Sequence, residues 1–213
     1  MSSHAHSPVT WADFLRLPER PETGKRHELH DGEVVLVPPA RPLHIKLQKR
    51  IEHLLEGLAA ERGVVTIEFP YRPAPNLQYW FADVAYIPRA DWDAMPPNDY
   101  PVYAPALIVE VLSPSNTPAK ISRQRIVAMS AGTLEFWVVD PEKRTVLVTD
   151  PAGAKTYAAG DAIPVRLFEG SVFVDRIFDV CSSHLAPKAT PACIQTKICS
   201  ASNLFCRSPA TLA

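Results

Sequence analysis

The residues from Ala106 to Ser113 constrain the fold of this chain more than any other stretch. They read Ala-Leu-Ile-Val-Glu-Val-Leu-Ser, so that six apolar residues surround one carboxylate, Glu110. Pro105 precedes the run and a Ser-Pro-Ser-Asn segment begins at its end, a pattern typical of a strand buried on both faces of a sheet. An ionised carboxylate in such a strand is unfavourable unless a charged group meets it. The partner is either an arginine or lysine side chain, which this stretch by itself favours, or a metal ion.

Length and composition predict one domain with a hydrophobic core of its own. The chain has 213 residues, of which 46% are hydrophobic and 21% charged, and its formal net charge is -1. It contains no apolar run of about 18 residues, which a membrane-spanning helix would need. Its first residues lack the basic start and apolar run of a secretory signal. We therefore predict a cytoplasmic protein that makes no contact with a membrane.

The C-terminal residues differ in composition from the rest of the chain. Residues 181–213 contain all four cysteines, are rich in serine and alanine, and include three basic residues and no acidic one. Such a tail is predicted to be disordered; a metal-binding tail is the alternative, although the cysteine spacing matches no common zinc pattern. The domain is predicted to span residues 10–180, and residues 1–9 are predicted to be a disordered N-terminus. The cysteines are Cys181, Cys193, Cys199 and Cys206.

Hydrophobic periodicity and turn residues predict an α/β domain. Leucines and isoleucines at helical spacing predict a helix from Arg41 to Arg62, and Thr117 is the predicted N-cap of a helix from Pro118 to Ala131. Asp31-Gly32 between two short runs predicts an N-terminal hairpin. Other predictions are a helix at 11–17, strands at 64–70, 77–87, 106–113, 134–140 and 144–149, a loop at 89–104, and a C-terminal β-meander at 155–157, 163–167 and 172–174. This order of elements predicts a central mixed β-sheet flanked by helices.

Three acidic residues, Glu28, Asp83 and Glu110, lie in otherwise apolar or strand-like surroundings. If they converge at one edge of the sheet, their carboxylates repel one another and need a cation to coexist. A hard divalent ion such as Mg²⁺ takes oxygen ligands of this kind and activates water for attack on a phosphate. The alternative is that each acid pairs with a nearby arginine or lysine. His44, in the first turn of a predicted helix, is interpreted as a surface or capping residue.

Several further segments, taken in order and at their spacing, carry a resemblance to a known family. They are His27-Glu-Leu-His-Asp-Gly-Glu33, Pro38-Pro39 with His44, Phe81-Ala-Asp-Val-Ala85, Val109-Glu-Val-Leu-Ser-Pro-Ser-Asn-Thr117, Ala131-Gly132 and Glu135-Phe-Trp-Val-Val-Asp140. Together they resemble the Uma2 family of restriction-type endonucleases, also called DUF820. The resemblance covers residues 10 to 180, and its most specific part runs from Glu110 to Pro118.

The resemblance implies a nuclease of the PD-(D/E)XK superfamily, with a restriction-endonuclease-like α/β core. Glu28 matches the first acid of the family, Asp83 the Asp of the PD element (with Ala82 in place of the usual proline), and Glu110 the acid of the second element. It implies that Asp83 and Glu110, assisted by Glu28, hold Mg²⁺, with Mn²⁺ as the alternative ion. The implied reaction is hydrolysis of DNA phosphodiester bonds by metal-activated water. A homodimer is expected, because two-fold symmetric nucleases commonly cut two strands as dimers.

The helix after Glu110 departs from the family pattern. The family has a lysine at the position of Gln124, an acid near Lys120 and a tyrosine near Ala128, and all three are replaced. The lysine orients water or stabilises charge at phosphorus, whereas Gln124 orients water without supplying charge. Lys120 lies one helical turn before Gln124 and is expected to reach the same face. The predicted catalytic residues are Glu28, Asp83, Glu110, Gln124 and Lys120.

Two other interpretations stay open at this point. The substitutions in the helix favour a catalytically weakened or inactive relative that keeps the fold and acts in nucleic-acid binding or assembly. An unrelated α/β binding domain with paired acids is the second alternative.

Overall fold

The computed structural model describes residues 7–18, 25–114 and 116–179. The predicted tail with its four cysteines, and residues 1–6 of the predicted N-terminal segment, lie outside the described residues. Val9 donates its backbone N–H to Gly32 O at 2.8 Å, which attaches the first described residues to the turn of the hairpin. No helix in this part of the chain is long and apolar enough to cross a membrane.

A six-stranded mixed sheet forms the centre of the described domain, as the sequence predicts. Its strands, β3 to β8, lie in chain order, and all neighbours are antiparallel except β5 and β6, which are parallel and are connected through α4. In chain order the elements are α1 (Trp11–Phe14), β1 (Arg26–His30), β2 (Glu33–Val37), α2 (Pro42–Ala59), β3 (Gly63–Tyr71), β4 (Trp80–Pro88), α3 (Arg89–Asp93), β5 (Leu107–Val111), α4 (Pro118–Ser130), β6 (Glu135–Asp140), β7 (Thr145–Asp150), β8 (Gly153–Tyr157), β9 (Ala162–Pro164), β10 (Ser171–Phe173) and α5 (Val174–Phe178).

The N-terminal hairpin forms where the sequence predicts it. β1 and β2 pair around Asp31 and Gly32, whose φ angles are 51° and 80°. Two successive positive φ angles are those of a type I′ turn, which explains the Asp-Gly pair. Leu29 and Tyr79 exchange backbone hydrogen bonds of 2.9 Å, so the hairpin is joined to the chain that leads into β4.

Helices cover both faces of the central sheet. On one face, Leu47 and Ile51 of α2 pack in a buried cluster that contains Val109 of β5. On the other face, Ile121 of α4 packs in a cluster that contains Ile108 of the same strand. Successive residues of β5 therefore enter opposite layers, as a strand buried on both faces requires.

Two details of the fold differ from the sequence-based expectations. The segment predicted as a loop at 89–104 begins with α3, whose five residues are too few to show helical periodicity. The C-terminal meander consists of β6, β7 and β8, whereas β9 and β10 pair in a separate two-stranded sheet. Three-residue strands carry too little pattern to indicate which sheet they join.

Candidate active site

Three acidic residues lie side by side on neighbouring strands of the central sheet. In the register of β3 and β4, Ile67 pairs with Val84 and Phe69 with Ala82, so that Glu68 and Asp83 lie between two paired positions. The pairing of β4 with β5 ends at Val84, so that Asp83 and Glu110 form the next opposed pair, and the Val111 N–H donates to Asp83 Oδ2 at 2.7 Å. Like charges that face each other across strands repel. The sheet therefore brings three carboxylates together where the ladder between β4 and β5 stops.

At the same place, the side chains of β3 change from one face of the sheet to the other. Val65 packs in the cluster on the α2 side, whereas Phe69 and Tyr71 pack in the cluster on the α4 side, although all three would share one face of a regular strand. Glu68 lies between them with a φ of 52°, in the left-handed region that non-glycine residues rarely adopt. Such strained positions concentrate at functional sites, and this one carries an acid of the cluster.

The first two turns of α2 hold the Asp83 carboxylate. His44 Nε2 lies 3.0 Å from Asp83 Oδ1, and Gln48 Nε2 donates to the same oxygen at 3.0 Å. Gln48 also donates to the Glu68 carboxylate. One ligand atom each of His44, Glu68 and Asp83 lie within 4.8 Å of one another. Imidazole and carboxylate donors at this spacing suit a divalent cation.

Glu28, on the hairpin, is surrounded by basic groups. Arg26 Nε donates to Glu28 Oε1 at 3.3 Å, and His30 Nε2 lies 2.7 Å from Glu28 Oε2. Lys120 Nζ of α4 is 4.0 Å from that same Oε2. Arg26 also forms an ion pair with Glu68. Glu28 therefore has basic partners of the kind expected if the acids pair with arginine or lysine instead of binding a metal ion.

Glu110 forms no ion pair with another of the described residues. It is 6% exposed, and its Oε1 has no hydrogen-bond partner among the described residues. Burial raises the pKa of Glu110 well above its ordinary value of 4.5, and the charges of Asp83 and Glu28 raise it further, against a smaller lowering by Lys120 and Arg26. Burial and repulsion therefore favour a proton, or a cation, at this carboxylate.

Glu135 on the neighbouring strand β6 is a useful contrast, because the fold satisfies its buried carboxylate. Trp137 Nε1 donates to Glu135 Oε2 at 3.0 Å, and the backbone N–H groups of Arg166 and Leu167 donate to Oε1. Burial is the largest influence on its pKa and raises it, whereas these bonds lower it. Protein groups thus bond both oxygens of one buried glutamate in this sheet, whereas Glu110 Oε1 has no such donor among the described residues.

Helix α4 borders the acids and is attached to the hairpin. Thr117 caps it, as predicted, and accepts from the Lys120 N–H at 3.2 Å. Arg123 donates to both oxygens of Asp31, at 3.2 and 2.7 Å, and these bonds lower the pKa of the Asp31 carboxyl. Gln124 lies on the buried face of the helix, and its Oε1 has no hydrogen-bond partner among the described residues.

The structure brings together four of the five predicted site residues. Asp83 and Glu110 are opposed, Glu28 interacts electrostatically with Glu110, and Lys120 lies beside Glu28. Gln124 is buried on the face of α4 toward the sheet, and no hydrogen bond joins it to these acids in the described part of the chain.

Three residues of the site were missed or misjudged from the sequence. The interpretation of His44 as a surface or capping residue was wrong, because its side chain is 15% exposed and bonds to Asp83. Glu68 and Gln48 were not predicted. Glu68 is a lone acid in the apolar run of β3, which is the signal that singled out Glu110. Gln48 lies one turn after His44, on the same face of α2.

Comparisons with known proteins agree with this fold. The Uma2 family model, described as "Putative restriction endonuclease", matches residues 11–172. No curated protein sequence matches the chain. The crystal structure of a "putative nuclease belonging to DUF820" from Anabaena variabilis ATCC 29413 superimposes with a TM-score of 0.68 and 20% sequence identity, over 81% of this chain and 99% of that one.

Proposed function

Because the chain belongs to the Uma2 family, we propose that it is a cytoplasmic, metal-dependent endonuclease that hydrolyses DNA phosphodiester bonds. The observation that carries this proposal is the buried Glu110 carboxylate beside Asp83, whose Oε1 has no hydrogen-bond partner in the described part of the chain. A buried carboxylate is tolerated in proteins when a cation compensates its charge or a proton neutralises it. The same fold satisfies the other buried glutamate of the sheet, Glu135, through three donors.

The side chains at the site fit a divalent cation. Asp83 and Glu110 are the predicted ligands, and Glu28 assists as the third acid; the proximity of His44 and Glu68 to Asp83 adds two donors. Carboxylates suit Mg²⁺, and an imidazole nitrogen adds a preference for a transition ion such as Mn²⁺. A bound divalent cation would polarise the phosphate and lower the pKa of a water molecule.

We also propose roles for the remaining residues. Hydrolysis forms a bond between a water oxygen and phosphorus and breaks the bond to the leaving sugar oxygen, and negative charge grows on the phosphate oxygens. Lys120, which is 31% exposed and 4.0 Å from Glu28, supplies positive charge at the border of the site. Gln124 orients water through its amide without adding charge. Gln48 holds the Asp83 carboxylate in position.

The test is cleavage of supercoiled plasmid by the purified full chain with Mg²⁺ or Mn²⁺. We expect nicking that stops on addition of EDTA and that is lost in Asp83→Asn and Glu110→Gln. Glu135→Gln is the matched control: it changes a buried glutamate of the same sheet outside the site, so activity per folded molecule stays within a few-fold of wild type. Nicking that survives both Asp83→Asn and Glu110→Gln would refute the proposed site.

The alternative is a catalytically weakened relative that binds nucleic acid, and the uncharged Gln124 in the buried face of α4 favours it. The same assay decides between the two. A wild-type protein without nicking activity, together with activity in Gln124→Lys, would support the weakened form.

The proposed enzyme acts as a homodimer, so that two sites face the two strands of a duplex. Light scattering of the purified chain measures its molar mass in solution. A mass of one chain, about 23.5 kDa, at the concentrations used for cleavage would exclude the dimer.

A further inference from the structure

The side-chain amide of Gln48 is buried between two acids of the candidate site. Gln48 is 1% exposed, and its Nε2 donates to Asp83 Oδ1 at 3.0 Å and also to Glu68 Oε1. Asp83 and Glu68 belong to the neighbouring strands β4 and β3, and their charges repel each other at close range. One NH2 group of α2 thus bridges the two carboxylates.

The bridged carboxylates are also candidate ligands of a cation. Ligand atoms of His44, Glu68 and Asp83 lie within 4.8 Å of one another, and His44 Nε2 is 3.0 Å from the same Asp83 Oδ1 that Gln48 contacts. His44 and Gln48 are four residues apart in α2 and therefore project from one face of the helix. A cation held by these residues would lie beside the Gln48 amide.

A primary amide carries a donor and an acceptor that can exchange places. Ionised carboxylates only accept hydrogen bonds, so the amide presents its NH2 group to Asp83 and Glu68. A cation repels those hydrogens, whereas the side-chain carbonyl oxygen of a glutamine is a ligand that hard divalent ions accept. The last torsion of glutamine has a broad, roughly two-fold profile. Half a turn about the Cγ–Cδ bond therefore replaces Nε2 by Oε1 without movement of the backbone.

We propose that Gln48 makes this half-turn when the cation binds and coordinates the cation through Oε1. The inference rests on the proposed function, in which Asp83 belongs to the cation site. In the absence of a cation, the NH2 group compensates the two acids; once a cation compensates them, the carbonyl oxygen adds a neutral ligand. An amide serves both states of the site, which neither a carboxylate nor an apolar side chain at this position could do.

Crystals of the full chain soaked in Mn²⁺ give a direct test, because anomalous scattering locates the ion. We expect one side-chain atom of Gln48 at about 2.0–2.6 Å from the ion, the range of an oxygen ligand; the amide nitrogen is only a donor and cannot take this place. An ion bound to Asp83 with every atom of Gln48 beyond that range would refute the inference and leave the proposed function standing.

Titration calorimetry with Mn²⁺ compares Gln48→Met with Gln78→Met. Gln78 is a second buried glutamine, bonded at both ends of its amide to Asp31: Nε2 donates to Oδ1 at 2.7 Å, and Oε1 accepts from the backbone N–H at 3.2 Å. Both variants lose a bond between an amide and a carboxylate, so both should lower the urea midpoint in EDTA, and circular dichroism verifies that they are folded. Only Gln48→Met should raise the Mn²⁺ dissociation constant, by about tenfold or more; a constant equal to that of wild type would refute the inference.

The variant Gln48→Glu separates a ligand from a residue that only positions Asp83. Glutamate keeps an oxygen at the same place and, when ionised, cannot donate. If Gln48 is a ligand, Gln48→Glu should bind Mn²⁺ at least as tightly as wild type, although its urea midpoint in EDTA is lower. If Gln48 acts only through its NH2 group, Gln48→Glu would lose affinity as Gln48→Met does, and that result would contradict the proposed ligand. Absence of Mn²⁺ and Mg²⁺ binding in the wild type would refute the proposed function and this inference together.

Discussion

The variant Glu110→Gln tests whether burial raises the pKa of Glu110 in the folded protein. Glutamine keeps the size of the side chain and removes its ionisation. In the wild type, burial and the neighbouring charges of Asp83 and Glu28 raise the pKa of Glu110 above its ordinary value of 4.5. Without a metal ion, the folded state therefore holds a proton that the unfolded chain releases in the pH range above about 4.5.

The sign and size of the effect follow from this difference in proton binding. Between the unfolded and the folded pKa, the folded state binds more protons, so the free energy of unfolding of the wild type falls as pH rises. The contribution of Glu110 to the free energy of unfolding is fully present below the pKa of Glu110 in the unfolded chain. It is lost as pH rises through the pKa of Glu110 in the folded state. For one group, the free energy of unfolding changes by at most about 1.4 kcal/mol per pH unit. Glu110→Gln has no such slope, so its stability relative to wild type should increase from pH 5 to pH 8.

Urea unfolding followed by the fluorescence of the four tryptophans, at steps of half a pH unit in EDTA, measures this difference. The matched control is Glu135→Gln, which loses bonded acceptors and is expected to destabilise the fold by about 1–3 kcal/mol at pH 7. Addition of Mn²⁺ should stabilise the wild type and leave Glu110→Gln unaffected. A difference between Glu110→Gln and wild type that is independent of pH, or a Glu110→Gln variant that is less stable than wild type at pH 8 without metal, would contradict a raised pKa of Glu110 in the folded state.

Three shorter predictions concern other positions. Gln124→Lys places the lysine of the family pattern on the buried face of α4 and should raise the plasmid nicking rate about 10²-fold if charge stabilisation limits turnover; an unchanged rate would show that it does not. Glu68→Gln removes one acid near Asp83 and should weaken Mn²⁺ binding about tenfold or more in calorimetry, whereas unaltered affinity would exclude Glu68 from the cation site. Gly63→Ala places a Cβ 2.2 Å from Ile87 O and 2.5 Å from the Tyr86 ring. It should therefore lower the urea midpoint, with a destabilisation of about 1–3 kcal/mol. A midpoint equal to that of wild type would show that the neighbouring atoms can shift.

Features encoded in neighbouring residues were predicted accurately from the sequence. Asp31-Gly32 forms the hairpin turn because both positions need a positive φ angle. Thr117 caps α4 because its hydroxyl accepts from an N–H three residues later. The apolar run around Glu110 is a strand whose five residues are all buried. In each case a few adjacent residues determine the local backbone, so that sequence pattern is sufficient.

Features that depend on contacts between distant segments were missed. The β3–β4 register and the reversed faces of β3 bring Glu68 to Asp83, and no local pattern of β3 contains that register. His44 lies 39 residues from Asp83 along the chain, yet bonds to it. Its position in the first turn of α2 was correct, but the direction of its side chain depends on how the helix packs on the sheet.

The strand-like, mostly apolar surroundings of Glu28, Asp83 and Glu110 could be predicted from the sequence, because that information is local. Which of the three acids has a partner depends on how the chain packs. Glu28 meets Arg26, His30 and Lys120, and His44 and Gln48 hold Asp83, whereas Glu110 Oε1 has no hydrogen-bond partner among the described residues. The physical reason is that the free energy of a buried carboxylate depends on desolvation and on charges from distant segments, and the packing of the sheet against α2, α4 and the hairpin decides where those charges lie.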